Sequence, residues 1–244
     1  MVNKKKKGVR GKKKDIRAVD DIVREDVAMV PGRVEEKENR QLFWFFVVVA
    51  AVFGSILVPY FMNEASKSFG FGGVDWVIED YENLRIFHGR FVSLTNPNLN
   101  YNVFFRTDPR ENDVGVSGEL NDFRYGGVIS LSPEVDDCRG DLSRVMLDLS
   151  AFLRQGVGVG PIESGSSSEE IANASGRRFA DCDVVRDRTV IVVRVGGERG
   201  IVKSEVNPDC YILTAGDCED SGVVEKFMVQ SVIDFREKYP LNRS

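Results

Sequence analysis

At 244 residues, 42% of them hydrophobic and 29% charged, the chain has room for one ordinary domain plus appendages. Charge is unevenly spread: residues 1–41 carry 13 Lys/Arg against 8 Asp/Glu, residues 63–244 carry 20 against 30, and nothing between Leu42 and Met62 is charged. A single histidine, and four cysteines with no C-x-x-C among them, weigh against His-based metal or triad chemistry and against thioredoxin-type redox catalysis.

The amino-terminal 41 residues lack aromatics and a sustained apolar face, which predicts a disordered cytoplasmic tail. Its block KKKKGVRGKKK, Lys4 to Lys14, admits three uses: a topology determinant, a contact for anionic lipid headgroups, or an RNA contact. No aromatic is interleaved for base stacking, so nucleic acid is disfavoured. The stretch DDIVREDVAMV (20–30) could form a short partner-binding helix. Next comes LFWFFVVVAAVFGSILVPYFM (42–62), whose 21 residues would span ~31 Å at about 1.5 Å each. A buried core helix would carry polar interruptions, and a cleaved signal peptide would lie nearer the start and end in small residues. The run predicts an uncleaved transmembrane helix with Pro59 in its last turn, where a lost backbone bond costs least. Basic residues precede it, while Lys67 is the only one between the span and Arg85, so the amino terminus is predicted inside and residues 63–244 outside.

Residues 63–80 begin with the Gly- and Ser-rich NEASKSFGFGGVD, predicted to be a tether, with an extracytoplasmic domain over 81–244. In that domain, Phe91–Thr95 and Tyr101–Phe105 read as hairpin strands about Asn96-Pro97-Asn98, followed by a polar loop, DPRENDVG. GGVISLS (126–132) reads as a buried strand. Leu142, Val145, Met146, Leu149, Phe152 and Leu153 follow helical spacing, with Gly156 in the C′ position. A short strand, a serine loop and a helix capped by Ser168 come next. RTVIVVRV (188–195) is the strongest strand, and GGE is expected to turn it tightly into GIVKSEV (200–206). CYILTAG follows, then a last helix over about 221–238 with Val224, Phe227, Met228, Ser231, Val232 and Phe235 on one face. The predicted fold is α/β or α+β, a mixed sheet with two main amphipathic helices.

Cys138, Cys182, Cys210 and Cys218 lie on the outer side by the same orientation argument, where an even number reads first as disulfides. The close pairs of a Cys₄ zinc site are missing. Three pairings are possible. Tyr211 to Ala215, if extended, carry the chain ~16 Å at about 3.3 Å per residue, too far for Cys210 to meet Cys218. Cys138 and Cys218 follow strands and precede helices; Cys182 and Cys210 precede co-directional strands. Strand polarity therefore favours Cys138–Cys218 and Cys182–Cys210.

His88 reads as a strand-end residue. Asp136, Asp137, Asp181, Asp183, Asp217, Glu219 and Asp220 cluster beside the cysteines as an acidic rim, with no calcium-loop spacing. Gly156-x-Gly158-x-Gly160 resembles a dinucleotide fingerprint, but it follows a helix and ends in Pro161. Asn173-Ala174-Ser175 is a glycosylation sequon, as formally is Asn242-Arg243-Ser244. No catalytic, cofactor-binding or metal-binding residue is assigned and no cofactor is implied.

FFRTDPREND, the Cys138-then-helix pattern and CYILTAGDCED…VVEKFMVQSVI resemble small membrane-anchored proteins of archaeal lineages, over most of residues 80–238. The resemblance implies an archaeal cell-surface setting and brings neither an activity nor a site residue.

These features favour an extracytoplasmic interaction or assembly module, an accessory subunit of a membrane or envelope complex, over catalysis. Asp217, Glu219 and Asp220 are the candidate partner contacts, since an acidic outer domain attracts cationic partners. A membrane-tethered thiol–disulfide oxidoreductase and a carboxylate-dependent hydrolase are the alternatives. Protease added to intact cells should remove the domain after residue 62 and spare the first 41 residues; the reverse pattern would refute the orientation.

Overall fold

The computed structural model describes residues 35–240, without the side chains of residues 35–38 and 63–64. The basic tail with its Lys4–Lys14 block, the candidate helix over 20–30 and the Asn242 sequon lie outside the described residues. The chain divides into two units between Ile56 and Leu57. Helix α1 (Glu35–Ser66) crosses the division and contains Asn39–Met62, an apolar stretch long enough to cross a membrane, with its side chains unburied.

The expected tether over 63–80 is not a spacer. Helix α1 runs on to Ser66, and Lys67 alone separates it from β1 (Ser68–Phe71), which pairs antiparallel with β2 (Val74–Tyr81). The turn is Gly72-Gly73, both at positive φ (61° and 71°), the backbone that a two-residue hairpin requires. The glycines that suggested flexibility instead serve this turn. The Lys67 carbonyl is itself tied to the sheet by the Ile78 N–H at 2.7 Å.

Strands β3 (Leu84–Val92) and β4 (Asn100–Phe105) complete a four-stranded antiparallel sheet in the order β1-β2-β3-β4. Alternation sends Val74, Trp76, Phe87, Phe91, Val103 and Phe105 inward. The β3–β4 hairpin has the expected Asn96–Asn98 turn, with Asn96 Oδ1 accepting the Asn98 N–H at 3.1 Å. Strand β3 ends at Val92, however, three residues short of the expected Thr95.

The second sheet has seven strands: β5 (Gly115–Ser117), β6 (Gly127–Leu131), β7 (Ile162–Ser166), β8 (Arg178–Phe179), β9 (Thr189–Val195), β10 (Gly200–Lys203) and β11 (Cys210–Ala215), in the order β5-β10-β11-β9-β6-β7-β8. β9 and β10 are therefore not a hairpin. β11 lies between them, parallel to β9 and antiparallel to β10. Gly196 and Gly197, both at positive φ, let the chain leave β9 and pass over one strand position, roughly 10 Å, before β10 begins. Strands β6, β7, β8, β9 and β11 are mutually parallel, and their order reverses between β6 and β9, as in doubly wound sheets.

Four short or medium helices complete the domain: α2 (Pro133–Asp136), α3 (Asp141–Ala151), α4 (Glu169–Ser175) and α5 (Gly222–Lys238). Ser168 caps α4, its hydroxyl accepting the Ile171 N–H. The expected stop at Gly156 is displaced: α3 continues as a π-helical turn over Phe152–Val157, and Gly158, at φ 82°, closes it. Gly156 is buried inside that turn because a Cβ there would sit 3.0 Å from Phe152 and 3.3 Å from Phe91 and Tyr101.

One core joins α3, α5, the inner face of the four-stranded sheet and one face of the seven-stranded sheet. Helix α5 meets Tyr211 through Phe227 (5.5 Å between rings) on one side. Met228, Val229 and Val232 meet Trp76, Phe91 and Phe105 on the other. That double coverage explains why Val223 and Val229 are buried in addition to the predicted face. The opposite face of the large sheet is covered by a loop: Ala180, Cys182 and Val185 pack on Val128, Val190, Val192 and Cys210. Ser130 Oγ donates to the Ala180 carbonyl at 2.6 Å, and Asn207 Nδ2 donates to the carbonyls of Cys182 and Val185.

The Trp76 ring lies on the backbone of Gly89, where a Cβ would fall 2.6 Å from it. Gly89→Ala should therefore cost about 1–3 kcal/mol through overpacking, whereas Gly70→Ala, which meets nothing within 4 Å, should stay within about 0.5 kcal/mol of the parent. Chemical denaturation of the two variants measures the difference.

Candidate functional site

Cys138 pairs with Cys218 (Cα–Cα 5.3 Å) and Cys182 with Cys210 (5.4 Å), the pairs expected from strand polarity. The first bridge joins the segments after β6 and β11 at the carboxyl ends of the parallel strands. The second pins the covering loop at the amino end. Cys138, Cys182 and Cys210 are buried, and Cys218 is half-buried.

At the carboxyl end, α2 packs over β6 and β9, where the strand order reverses, and the Ser132 N–H donates to the Val193 carbonyl at 2.9 Å. The predicted contacts Asp217, Glu219 and Asp220 sit beside it with different surroundings. Asp217 and Glu219 are exposed, and Asp217 Oδ1 accepts the Glu219 N–H at 2.9 Å. Asp220 is largely covered; it takes both Arg199 Nε (2.8 Å) and Nη2 (3.0 Å) and accepts the Gly216 N–H. The three candidate contacts therefore differ: Asp220 fixes the loop, whereas Asp217 and Glu219 are exposed, with Glu219 Oε2 accepting the Asp141 N–H at 3.5 Å. Asp136 is likewise engaged, by the Arg177 guanidinium at 2.6 and 2.7 Å. Asn173 is exposed on α4.

His88 lies on the outer face of the four-stranded sheet. Its Nδ1 is 2.8 Å from Glu79 Oε1, its Nε2 3.1 Å from Asn102 Oδ1, and its ring stacks on Phe104 at 4.5 Å. The Tyr81 hydroxyl donates to Glu79 at 2.6 Å and, with His88, holds that carboxyl below its usual range. Both ring nitrogens are occupied by a sheet-surface network that brings no nucleophile to them.

A cleft of about 560 Å³ lies at the amino ends of the parallel strands. Its floor is the segment Asn121–Tyr125, and its walls come from the Val157–Val159 loop, Pro208-Asp209 and the end of α5 at Phe235 and Tyr239. Asp122 receives Lys203 Nζ (2.5 Å) and Lys238 Nζ (2.7 Å); burial opposes ionisation there, but the two ammonium groups hold the carboxyl below its usual range. Arg124 pairs with Asp209 and donates to the Arg186 carbonyl. The Tyr211 hydroxyl donates to the Asp122 carbonyl at 2.6 Å and accepts its N–H at 3.0 Å; burial pushes this phenol up. The glycine motif is structural: a Cβ at Gly158 would strike Thr95, and one at Gly160 would strike the Tyr125 ring.

Sequence reasoning missed this cleft because its residues come from a loop, two strand starts and a helix end. The one local signal was NDFRYGG (121–127), an aromatic and charged run directly before a strand. Among the described residues no group of three or more His, Cys, Asp or Glu is arranged to hold a metal ion. No protein-family model, curated protein or solved structure matches the chain.

Glu225, 1% exposed in the first turn of α5, accepts the N–H groups of Arg106 (2.9 Å) and Thr107 (3.0 Å). Burial outweighs these donors and raises its carboxyl above the ordinary value of 4.5. The folded state therefore holds this proton more tightly than the unfolded chain. The resulting stability is fully present below the unfolded pKa and is lost as pH rises through the folded one. Glu225→Gln leaves one buried N–H facing an amide N–H₂ and should cost about 1–3 kcal/mol. The deficit should be larger at acidic pH than at neutral pH, as read from urea unfolding at both.

Proposed function

We propose that the chain is a signal-anchored extracytoplasmic interaction or assembly module, an accessory subunit of a membrane or envelope complex. Its amino terminus would be cytoplasmic and residues 63–244 outside. The carrying observation is a 24-residue apolar stretch in a helix that is followed, after Lys67 alone, by the first strand of a domain with two disulfides. Disulfides fit an oxidising compartment, and the basic flank fits a cytoplasmic amino terminus. The resemblance to archaeal anchored proteins favours an archaeal cell surface. Three of the four cysteines are buried, which supports staples over exchange chemistry, since exchange needs an accessible sulfur.

The exposed pair Asp217 and Glu219 is the contact proposed for a cationic partner. Cross-linking in native membranes, followed by isolation of the full chain, tests it. The double variant D217A/E219A should capture severalfold less partner at low salt, with the difference shrinking at ~0.5 M salt, where exposed charges are screened. Its melting temperature should be unchanged, since neither side chain is buried. Undiminished capture by a folded variant would exclude this loop as the contact.

A further inference from the structure

We propose that the cleft at the amino ends of the parallel strands binds a pyranose-based glycan. The inference goes beyond the assembly reading and does not depend on the acidic loop. A pyranose ring presents two kinds of surface: faces of C–H groups, which lie against aromatic rings, and adjacent hydroxyls, which suit planar groups with paired donors or acceptors. The cleft supplies both.

Tyr125 is 79% exposed, although its ring rests on the backbone of Gly160, where a Cβ would fall 2.7 Å from Cε2. One edge is thus seated on protein while the rest of the ring stays open. Across the cleft, Tyr239 is 53% exposed and packs on Phe235 at 4.8 Å between ring centres. Two exposed rings with fixed backing are platforms, since leaving them open forgoes burial that the fold could have used.

The floor between the rings is polar and held in place before any ligand arrives. Asp122 is clamped by Lys203 and Lys238, and Arg124 by Asp209 and the Arg186 carbonyl. Asp209 directly precedes Cys210, whose bridge to Cys182 fixes that wall. Carboxylate, guanidinium and the Asn121 amide therefore line the cleft without needing to be ordered on binding, which reduces its entropic cost. The volume suits one or two sugar rings. Lys203 and Lys238 hold the Asp122 carboxyl below its usual range, so this group presents an acceptor to a sugar hydroxyl.

The test uses the full chain in detergent and a panel of tri- to hexasaccharides built from glucose, mannose, galactose and N-acetylhexosamine units, read by calorimetry. At least one series should bind, and Tyr125→Ala and Tyr239→Ala should each weaken it about three- to tenfold. Tyr125→Phe should retain most of the binding, because it keeps the ring. Asp217→Ala, at the other end of the sheet, should change nothing, so loss of the acidic-loop contact and loss of the glycan site are separable. Melting curves confirm that each variant is folded. Failure of every series to bind overturns the proposal, as does binding that survives both alanine substitutions in folded protein. A cleft that takes only basic peptides overturns it too.

Discussion

Helix α5 packs against the seven-stranded sheet on one flank and the four-stranded sheet on the other, so any polar group it carries inward must find a hydrogen-bond partner within the protein. Glu225 meets the N–H groups of Arg106 and Thr107, just past β4. Asp234 takes the Leu120 N–H at 2.7 Å and Gln230 Nε2 at 2.7 Å, and Ser231 returns its hydroxyl to the Phe227 carbonyl. The first match anchors the start of the connection between the two sheets, and the second anchors the segment between β5 and β6. Leu120 immediately precedes the cleft floor, and Phe235 and Tyr239 come from the last turn and end of the same helix. One buried helix therefore fixes the relation of the sheets and the shape of the concavity between strand starts.

The ion pairs have a different role. Most lie at the surface, where each is worth little, yet several tie a loop to another loop or to a strand. Arg199 joins Asp113 to Asp220, and Arg188 reaches Glu163 across the edge of the sheet. Their worth is in restricting loop conformations. Asp217 and Glu219, beside that Arg199–Asp220 pair, instead accept backbone N–H groups, of Glu219 and Asp141 respectively.

Much of the fold was legible because it follows local periodicity. The β3–β4 hairpin, β6, β9, β11, the Ser168 cap and the last helix all rest on alternation, turn chemistry or helical spacing within a few residues. The errors share one cause, that sheet neighbours are chosen by tertiary packing. Gly196-Gly197 has hairpin composition, but β10 gains its partner only after β11 enters the sheet between them. Gly72-Gly73 reads as a spacer until Phe69 and Trp76 are seen stacked at 6.3 Å across the hairpin that it closes. Gly156 looks like a stop because its neighbours Phe91 and Tyr101 are more than fifty residues away in the chain. The cleft was illegible for the same reason, its lining being drawn from five separate segments. Strand polarity, by contrast, is a long-range property that could be counted from reversals, and it sufficed to sort four cysteines into two pairs.

The bridge from Cys138 to Cys218 encloses most of the second sheet, with the shorter Cys182–Cys210 loop nested inside it. Any single backbone cut between residues 139 and 217 therefore leaves two fragments still covalently joined, and a cut between 183 and 209 leaves them joined twice. The exposed Gly196–Arg199 turn falls in both intervals. Nicking there cannot shed the carboxyl-terminal part, which includes α5, from the chain that carries the apolar helix. Release would require a second cut or a reductant, so the nested bridges keep the domain joined to the apolar helix after a single proteolytic cut.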